Sequence, residues 1–338
     1  MISTKIRKLE LNDRWTISRN SSDFKENVFV KLEKDGVTGY GEAAPNIRYG
    51  ETAGRTEKMI HQCSESLLHQ DLFNYTQIKQ ILDESIVAQN CAKAALDMAL
   101  MDWISKSRTM PLYKMLGLDA DKTPVTSYSI GIDKLDRIKE KTAQASDYPI
   151  LKIKVGIDND EEIINAVRSV TSKPIRVDAN EGWKDKETAV KKIEWMQTKG
   201  VEFIEQPMPA AMIEETAWLR ERVDLPLVAD EAVMNTADIP LVAEAYDGIN
   251  IKLMKAGGIQ EALKMIHSAR ALGLKIMIGC MIESSIAITA AAHLSSLVDW
   301  ADLDGNLLIK NDPFCGVKVS QGRLILNDQP GMGVTGSW

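Results

Sequence analysis

Five charged residues recur at near-equal intervals along the middle of this chain of 338 residues, and each ends a short run that is rich in β-branched residues. Successive intervals between the run ends, a final glycine included, are 24, 27, 25, 22 and 27 residues. A strand, a helix and two connecting loops use a similar number of residues, so the spacing indicates a repeated βα unit. The repeat favours an α/β fold with a closed parallel barrel. The run ends are Lys154, Asp178, Glu205, Asp230, Lys252 and Gly279.

Three of these run ends are carboxylates: Asp178, Glu205 and Asp230. The C-terminal ends of all strands in a parallel barrel meet at one rim, so residues that end different strands become neighbours. Three carboxylates in one place repel each other unless a hard cation lies between them, and oxygen-only ligation suits Mg²⁺ or Mn²⁺ better than zinc. We therefore predict that these three side chains bind a divalent metal ion.

Lysines near the same rim are candidate acid/base groups. Lys152 and Lys154 stand two residues apart in a predicted strand, so both side chains point into the barrel. Lys252 ends a strand across the barrel. A second ammonium group and a divalent cation nearby both disfavour protonation of a lysine. We therefore predict a lysine pKa that is lowered toward neutrality. A base on each side of the metal could remove a proton from one face of a carbon and return one to the other face.

Each of these residues has a common structural explanation when it is considered alone. A carboxylate after a strand is usually a helix cap or a turn former, and a pair of lysines is usually a solvated edge. Chance does not place several such residues at the ends of successive strands, so we interpret them together as a catalytic site. Lys255 is the alternative second base, but it lies in the predicted loop before residues 256–258, so Lys252 is preferred.

The composition limits the class of ligand and the cellular compartment that we expect. The formal net charge is −7 and the lysines are scattered, so the chain lacks a basic surface for nucleic acid or anionic lipid. The N-terminus has no apolar region typical of a secretory signal, no segment suits a membrane span, and the four cysteines show no paired spacing. We expect a small-molecule ligand, no nucleic-acid or membrane partner, and a cytoplasmic location.

The two ends of the chain differ in pattern from the central repeat. Residues 1–118 contain a predicted hairpin with an Asp-Gly turn and a predicted helix over 86–105, which indicate an α+β capping domain. We predict a barrel domain over 119–310 and a C-terminal segment, 311–338, that returns to the cap. Further predicted elements are a first barrel strand over 125–129, a last barrel strand over 301–304 and a terminal hairpin over 316–326.

Five motifs carry a resemblance that covers nearly the whole chain. LKIKVG, RVDANEGW, EFIEQPMP, VADEAV and INIKLMKAGGI resemble the motifs of the enolase superfamily, in its muconate-lactonizing subgroup. The resemblance implies a (β/α)₇β TIM-like barrel with an N-terminal α+β cap, one Mg²⁺, and removal of a proton α to a carboxylate. It implies acid/base roles for Lys154 and Lys252 and stabilisation of enolate charge by Lys152. Glu231 and Asn180 would support the metal ligands.

Two aspartates near the end of the barrel narrow the choice within this subgroup. Asp302 and Asp304 are at i and i+2 of the predicted last strand, so they face the same way and could hold an ammonium group. They resemble the Asp-x-Asp motif of dipeptide epimerases, which binds the free amino terminus of the substrate. The run IGCMIESS resembles the same family, and it implies that backbone N–H groups near Cys280 and Met281 orient the substrate.

Loops of the cap are expected to select the substrate's side chains. Arg19 and Arg48 flank the cap strands, where a guanidinium could bind an acidic side chain bidentately, as in family members that act on Ala-Glu. A surface arginine without a substrate role is the alternative. The resemblance implies a dipeptide epimerase, an isomerase that inverts the C-terminal residue's α-carbon by two-base 1,1-proton transfer. The implied substrate is L-Ala-D/L-Glu from murein peptides, and we expect a homo-oligomer.

Two other functions fit parts of the pattern. A lyase or cycloisomerase of the same subgroup, such as o-succinylbenzoate synthase or muconate cycloisomerase, needs only one proton-transfer base and a charge stabiliser. A non-catalytic metal-binding barrel needs neither of the two opposed lysines. The presence of both Lys154 and Lys252 therefore favours the epimerase.

Overall fold

The N-terminal part of the chain forms an antiparallel sheet covered by helices, and the computed structural model describes it together with the rest of residues 1–338. The middle strand pairs with both others. The turn after it holds Asp35 and Gly36 at φ values of 52° and 75°, which an Asp-Gly turn accommodates. The elements are β1 (Ile2–Thr16), β2 (Ser21–Lys34), β3 (Val37–Ala43), α1 (Ala53–Leu68), α2 (Tyr75–Ser85) and α3 (Asn90–Ser107).

The long helix of the cap, α3, packs closely on strand β3. A Cβ atom at Gly41 would lie 1.9 Å from the carbonyl oxygen of Ala95, so only glycine allows this approach. The helix begins at Asn90, later than the predicted residue 86. Ile86 is extended at φ −108° and ψ 105°, and Ala88 has a positive φ of 55°, so the chain is not helical there.

Eight parallel strands form the barrel, hydrogen-bonded in chain order from β4 to β11. A bridge between Thr126 and Ala301 closes the sheet. The strands are β4 (Tyr128–Ile130), β5 (Leu151–Lys154), β6 (Ile175–Asp178), β7 (Val201–Glu205), β8 (Leu227–Ala229), β9 (Gly248–Lys252), β10 (Lys275–Gly279) and β11 (Trp300–Asp302). After the short α4 (Leu112–Met115), the helices are α5 (Leu135–Gln144), α6 (Asp160–Arg168), α7 (Lys186–Gln197), α8 (Ile213–Arg220), α9 (Ile239–Ala245), α10 (Leu253–Ala256), α11 (Ile259–Ala271) and α12 (Ser285–Ala292).

The predicted cadence of strand ends is confirmed by these bounds. Asp230 follows β8 by one residue, and the other five run ends are the last residues of their strands. Because the C-terminal ends of parallel strands meet at one rim, all six residues lie around the same mouth. The five that end a strand are Lys154, Asp178, Glu205, Lys252 and Gly279.

The first and last barrel strands differ from the prediction. Strand β4 begins at Tyr128 rather than at residue 125, because the N–H of Thr126 bonds the carbonyl of Gly322 at 2.8 Å instead of strand β5. Strand β11 ends at Asp302 rather than at residue 304, because the N–H of Leu303 turns to the hydroxyl of Thr126 at 2.7 Å. Asp304 therefore lies just beyond the strand.

The C-terminal segment contacts both the cap and the barrel. Phe314 stacks on Phe29 of the cap with ring centroids 5.8 Å apart, and Trp338 lies 6.2 Å from the ring of Tyr40. The predicted hairpin is present, but Gly322 at its turn bonds Thr126 at the start of the barrel. The division of the chain near residues 118 and 310 stays a prediction. The strands are β12 (Phe314–Cys315), β13 (Lys318–Ser320), β14 (Arg323–Ile325) and β15 (Thr335–Gly336).

None of the helices combines the length and the apolar content that crossing a membrane requires. All four cysteines are free thiols, in agreement with their unpaired spacing in the sequence.

Candidate active site

A cavity lies between the mouth of the barrel and the cap. Its upper wall is formed by the end of β1, the loop 17–20 and the beginning of β2. This loop is attached to the barrel, because the Ser18 hydroxyl and the Arg19 guanidinium both donate to the carbonyl oxygen of Asn180 at 2.9 Å. Cap and barrel therefore enclose the site together.

The three predicted metal ligands lie together, and one of them, Asp230, lines this cavity. Asp178, Glu205 and Asp230 are buried, and one carboxylate oxygen of each lies within 4.8 Å of the others. Burial and the negative charge of Asp178 raise the pKa of Glu205 to about 7. Burial alone would also raise the pKa of Asp178, but the ammonium groups of Lys154 and Lys152 lower it to about 2. Such a cluster of carboxylates is a suitable donor set for a hard divalent cation.

The free lone pairs in the cluster are consistent with metal binding. Oε2 of Glu205 and Oδ1 of Asp230 lie 2.6 Å from the ammonium nitrogens of Lys152 and Lys255, respectively, but outside hydrogen-bond geometry. Buried carboxylate oxygens normally accept hydrogen bonds, so two oxygens that accept none keep lone pairs that a metal ion could bind. The residues present therefore fit a bound Mg²⁺.

The predicted acid/base lysines all contact this cluster. Nζ of Lys154 lies 2.5 Å from Oδ2 of Asp178, and Nζ of Lys252 lies 2.6 Å from Oδ2 of Asp230. They approach from opposite sides, because β5 and β9 are four positions apart in a barrel of eight strands. The carboxylates come from β6, β7 and the end of β8, which lie between those two strands.

Without a metal ion, the charges of the chain raise the pKa of two of these lysines. Burial would lower the pKa of Lys152 and of Lys252, but the carboxylates of Asp302 and Asp230, respectively, outweigh it and raise both pKa values. The prediction included the two positive charges of a metal ion, whereas in the chain itself the carboxylates dominate the local field.

Lys255, the alternative second base, is used to anchor the polypeptide. It donates to the carbonyl oxygens of Val233 at 3.0 Å and Asn250 at 3.1 Å, and it lies outside the cavity wall. Its position supports the choice of Lys252. The side chain of Asn250 donates to Oε1 of Glu205 at 2.8 Å, a contact missed in the sequence. Its position two residues before Lys252 in the same strand was the available signal.

Asp302 and Asp304 both line the cavity, as predicted, but they have different partners. Asp302 pairs with Lys152 at 2.6 Å and accepts from the hydroxyl of Ser127 at 2.7 Å. Asp304 accepts from the backbone N–H of Ser129 at 2.6 Å and has no cationic partner. Burial and the charge of Asp302 raise the pKa of Asp304 to about 7.

The segment after β10 contributes side chains to the cavity, and one of the backbone N–H groups expected to orient the substrate already has a partner in the chain. Cys280 and Met281 line the wall. The N–H of Met281 already donates to Oε1 of Glu283 at 2.8 Å, and the thiol of Cys280 donates to the carbonyl of Asp302 at 3.3 Å. Burial raises the pKa of the Cys280 thiol well above its ordinary value, so the thiol stays protonated.

The two arginines of the cap are bound to carboxylates of the chain. Arg19 lines the cavity and pairs with Glu231 at 2.6 Å and Glu181 at 2.8 Å. Arg48 lies outside the cavity wall, and its guanidinium bonds both oxygens of Glu181 at 2.9 Å. Arg48 was expected to bind an acidic side chain of the substrate bidentately, but it makes this bidentate pair with Glu181 of the protein.

Comparison with known proteins agrees with this fold. The family model for the mandelate racemase / muconate lactonizing enzyme N-terminal domain matches residues 1–117, and the model "Enolase C-terminal domain-like" matches 135–337. An L-Ala-D/L-Glu epimerase from Bacteroides thetaiotaomicron is 45% identical over 96% of this chain and 85% of its own length.

Two solved structures have nearly the same fold. The substrate-liganded L-Ala-D/L-Glu epimerase from Bacillus subtilis superimposes with a TM-score of 0.94 and 32% identity, covering 100% of this chain and 99% of that one. A dipeptide epimerase from Enterococcus faecalis in complex with Mg and L-Leu-L-Tyr has a TM-score of 0.93 and 32% identity, covering 99% and 98%. The chain therefore belongs to the enolase superfamily, in its mandelate racemase/muconate-lactonizing branch.

Proposed function

We propose that this protein is a Mg²⁺-dependent dipeptide epimerase that inverts the α-carbon of the C-terminal residue. One observation carries the proposal: Lys154 and Lys252 reach the carboxylate cluster from opposite strands of the barrel. A planar carbon between them would present one face to each lysine. The relatives that are named as dipeptide epimerases support the same reaction.

Asp178, Glu205 and Asp230 would hold the metal ion. A divalent cation bound there would stabilise the negative charge that develops on the substrate's α-carboxylate when the α-proton leaves. Lys152, buried between Glu205 and Asp302, would place its positive charge against the same oxygens.

The two lysines exchange roles in the reaction. In one direction the neutral amine of Lys154 accepts the α-proton, and the electron pair of the C–H bond enters the enediolate. The ammonium group of Lys252 then donates a proton to the opposite face, which forms the new C–H bond and leaves Lys252 neutral. In the reverse direction Lys252 is the base and Lys154 is the acid, so one site converts each epimer into the other.

Asp302 and Asp304 would bind the free ammonium group of the dipeptide, and Arg19 would face its side chains. We propose L-Ala-D/L-Glu as the substrate, which assigns the enzyme to the metabolism of murein peptides. The 45% identical relative is named for this dipeptide, which supports the proposal. Assembly into a homo-oligomer stays a prediction.

Incubation of the Mg²⁺-loaded protein with L-Ala-L-Glu in D₂O tests the function. We expect a second epimer to accumulate with deuterium at the α-carbon, as followed by NMR and chiral chromatography. An N-acetylated dipeptide is the matched control, because it lacks the ammonium group. Absence of exchange across a library of L,L-dipeptides, together with turnover of a cyclohexadiene acid, would instead indicate the lyase or cycloisomerase.

A further inference from the structure

The cap wall of the cavity holds one cation that has no anionic partner. Lys25 of β2 lines the cavity and makes no ion pair or hydrogen bond with another side chain. The other cations of the wall are each paired with a carboxylate. These are Arg19, Lys152, Lys154 and Lys252. Burial lowers the pKa of Lys25, and no carboxylate lies close enough to counteract it.

An unpaired ammonium group in a partly buried position is energetically unfavourable. An anion that entered the cavity would offset this cost through a charge-assisted hydrogen bond. No carboxylate of the chain pairs with Lys25, so an anion that binds its ammonium group would come from a ligand.

Strand geometry indicates which part of the cavity Lys25 faces. Lys25 and Asn27 are two residues apart in β2, so their side chains project from the same face of the sheet. The side chain of Asn27 donates to the carbonyl oxygen of Ile282 at 3.0 Å. Lys25 therefore lies beside the wall formed by the segment after β10, which neighbours the last barrel strand.

The pairing of β1 leads to the same side of the cavity. Lys25 is opposite Leu9 in the sheet, and Leu11 in the same strand forms a bridge with Ile309. Ile309 ends the segment that begins after Asp304. Lys25 therefore lies on the flank of the mouth where Asp304 lines the cavity.

Arg19 is on a different flank of the cavity. Its ion pair with Glu231 places it above the end of β8, next to Asp230 of the metal cluster. Strands β8 and β11 are three positions apart in the barrel. The two cations of the cap thus face different parts of any ligand that spans the cavity.

We propose that Lys25 is a specificity-determining residue that binds a carboxylate on the side chain of the dipeptide's first residue, so that the site accepts, besides L-Ala-L-Glu, dipeptides that begin with Glu or Asp and favours them over those that begin with the neutral Gln or Asn. The inference rests on the proposed function, in which the first residue's ammonium group is held by Asp302 and Asp304 and the α-carboxylate lies at the metal cluster. An acidic side chain on the first residue then points along the flank that Lys25 occupies.

Isomeric dipeptides test this assignment. We compare kcat/KM of the wild type and of Lys25→Met for L-Glu-L-Ala, L-Gln-L-Ala, L-Ala-L-Glu and L-Ala-L-Gln. We expect the wild type to prefer L-Glu-L-Ala to its neutral isostere by roughly 10- to 100-fold, the usual range for a hydrogen bond to a charged group, and the variant to lose that preference. The ratio between L-Ala-L-Glu and L-Ala-L-Gln should not change. Lys8→Met, which alters an exposed lysine of the same sheet outside the cavity, is the matched control.

Three results would overturn the inference. The wild type could show no preference for L-Glu-L-Ala, the variant could lose activity on both isosteres equally, or only the L-Ala-L-Glu ratio could change. Calorimetric binding of the same dipeptides to the Mg²⁺-loaded protein gives the comparison without turnover. Tighter binding of L-Glu-L-Ala through Lys25 by a protein that epimerises nothing would refute the proposed function and keep the inference.

Discussion

Oδ2 of Asp302 lies 2.6 Å from the ammonium nitrogen of Lys152, so one of the two aspartates at the end of the barrel is already neutralised by a lysine of β5. Asp304 has no such partner and accepts only from Ser129 among the groups around it. Asp304 is therefore the carboxylate with free capacity for the ammonium group of a substrate.

Replacement of Asp304→Asn should raise KM for a free dipeptide by roughly 10- to 100-fold, because a charge-assisted hydrogen bond is lost. The asparagine side chain can still accept from the N–H of Ser129, so the fold should be retained. Steady-state kinetics with L-Ala-L-Glu provide the measurement. An N-acetylated dipeptide is the control, and an equal rise of KM for both compounds would show that Asp304 does not bind the ammonium group.

Removal of Lys252 should slow epimerisation strongly but leave the exchange of the α-hydrogen through Lys154. In Lys252→Ala, Lys154 still reaches one face of the α-carbon, so one epimer should exchange its α-hydrogen in D₂O without inversion. We expect epimerisation to fall by about 10²- to 10⁴-fold, the usual contribution of a general acid or base. Proton NMR follows both events in one sample.

The matched control for Lys252→Ala is Lys264→Ala, because Lys264 is an exposed lysine on the helix that follows the same part of the barrel. Calorimetry with Mn²⁺ should show metal binding in both variants. Inversion at the wild-type rate in Lys252→Ala would rule out the two-base mechanism.

Addition of Mg²⁺ should stabilise the fold, because the cation binds a carboxylate cluster that exists only in the folded chain. At a concentration of 100 times Kd the gain is about 2.7 kcal/mol in the free energy of unfolding. Thermal unfolding with and without Mg²⁺ measures it, and Glu205→Gln should abolish most of the gain. A melting temperature that does not respond to Mg²⁺ in the wild type would contradict the assignment of the three ligands.

His293 should make the fold less stable at acidic pH. It is buried, its Nδ1 accepts from the N–H of Tyr113 at 3.1 Å, and its Nε2 lies 3.1 Å from the carbonyl oxygen of Met332. Burial lowers the pKa of His293 to about 4. The unfolded chain binds the proton more readily, so stability is lost as pH falls from about 6.5 to 4, by up to about 3 kcal/mol.

Chemical unfolding at several pH values tests this prediction by comparing the wild type with His293→Gln. The difference in unfolding free energy between the two proteins should shrink as pH falls from about 6.5 to 4. His69→Gln, at an exposed histidine, is the control substitution. A constant difference over this range would show that His293 does not titrate with unfolding.

The barrel and its acidic rim could be predicted because their signals are local. The alternation of side chains in a strand and the length of a βα unit depend only on neighbouring residues. Lys152 and Lys154 could thus be assigned to one face, and Asp178 and Glu205 to the ends of the next two strands. The long strand β1 escaped prediction because most of its side chains are not buried and it lacks a clear apolar alternation.

The partner of each charge was decided by contacts between distant parts of the chain. Arg48 binds Glu181, which is 133 residues away, and Arg19 binds both Glu181 and Glu231. Lys25 remains unpaired although the cavity is rich in carboxylates. The spacing of the strands can be read from the sequence. The distance between two charged side chains depends instead on how the cap packs against the barrel. Because Coulomb energies depend on that distance and on burial, only the tertiary structure decides which charges pair.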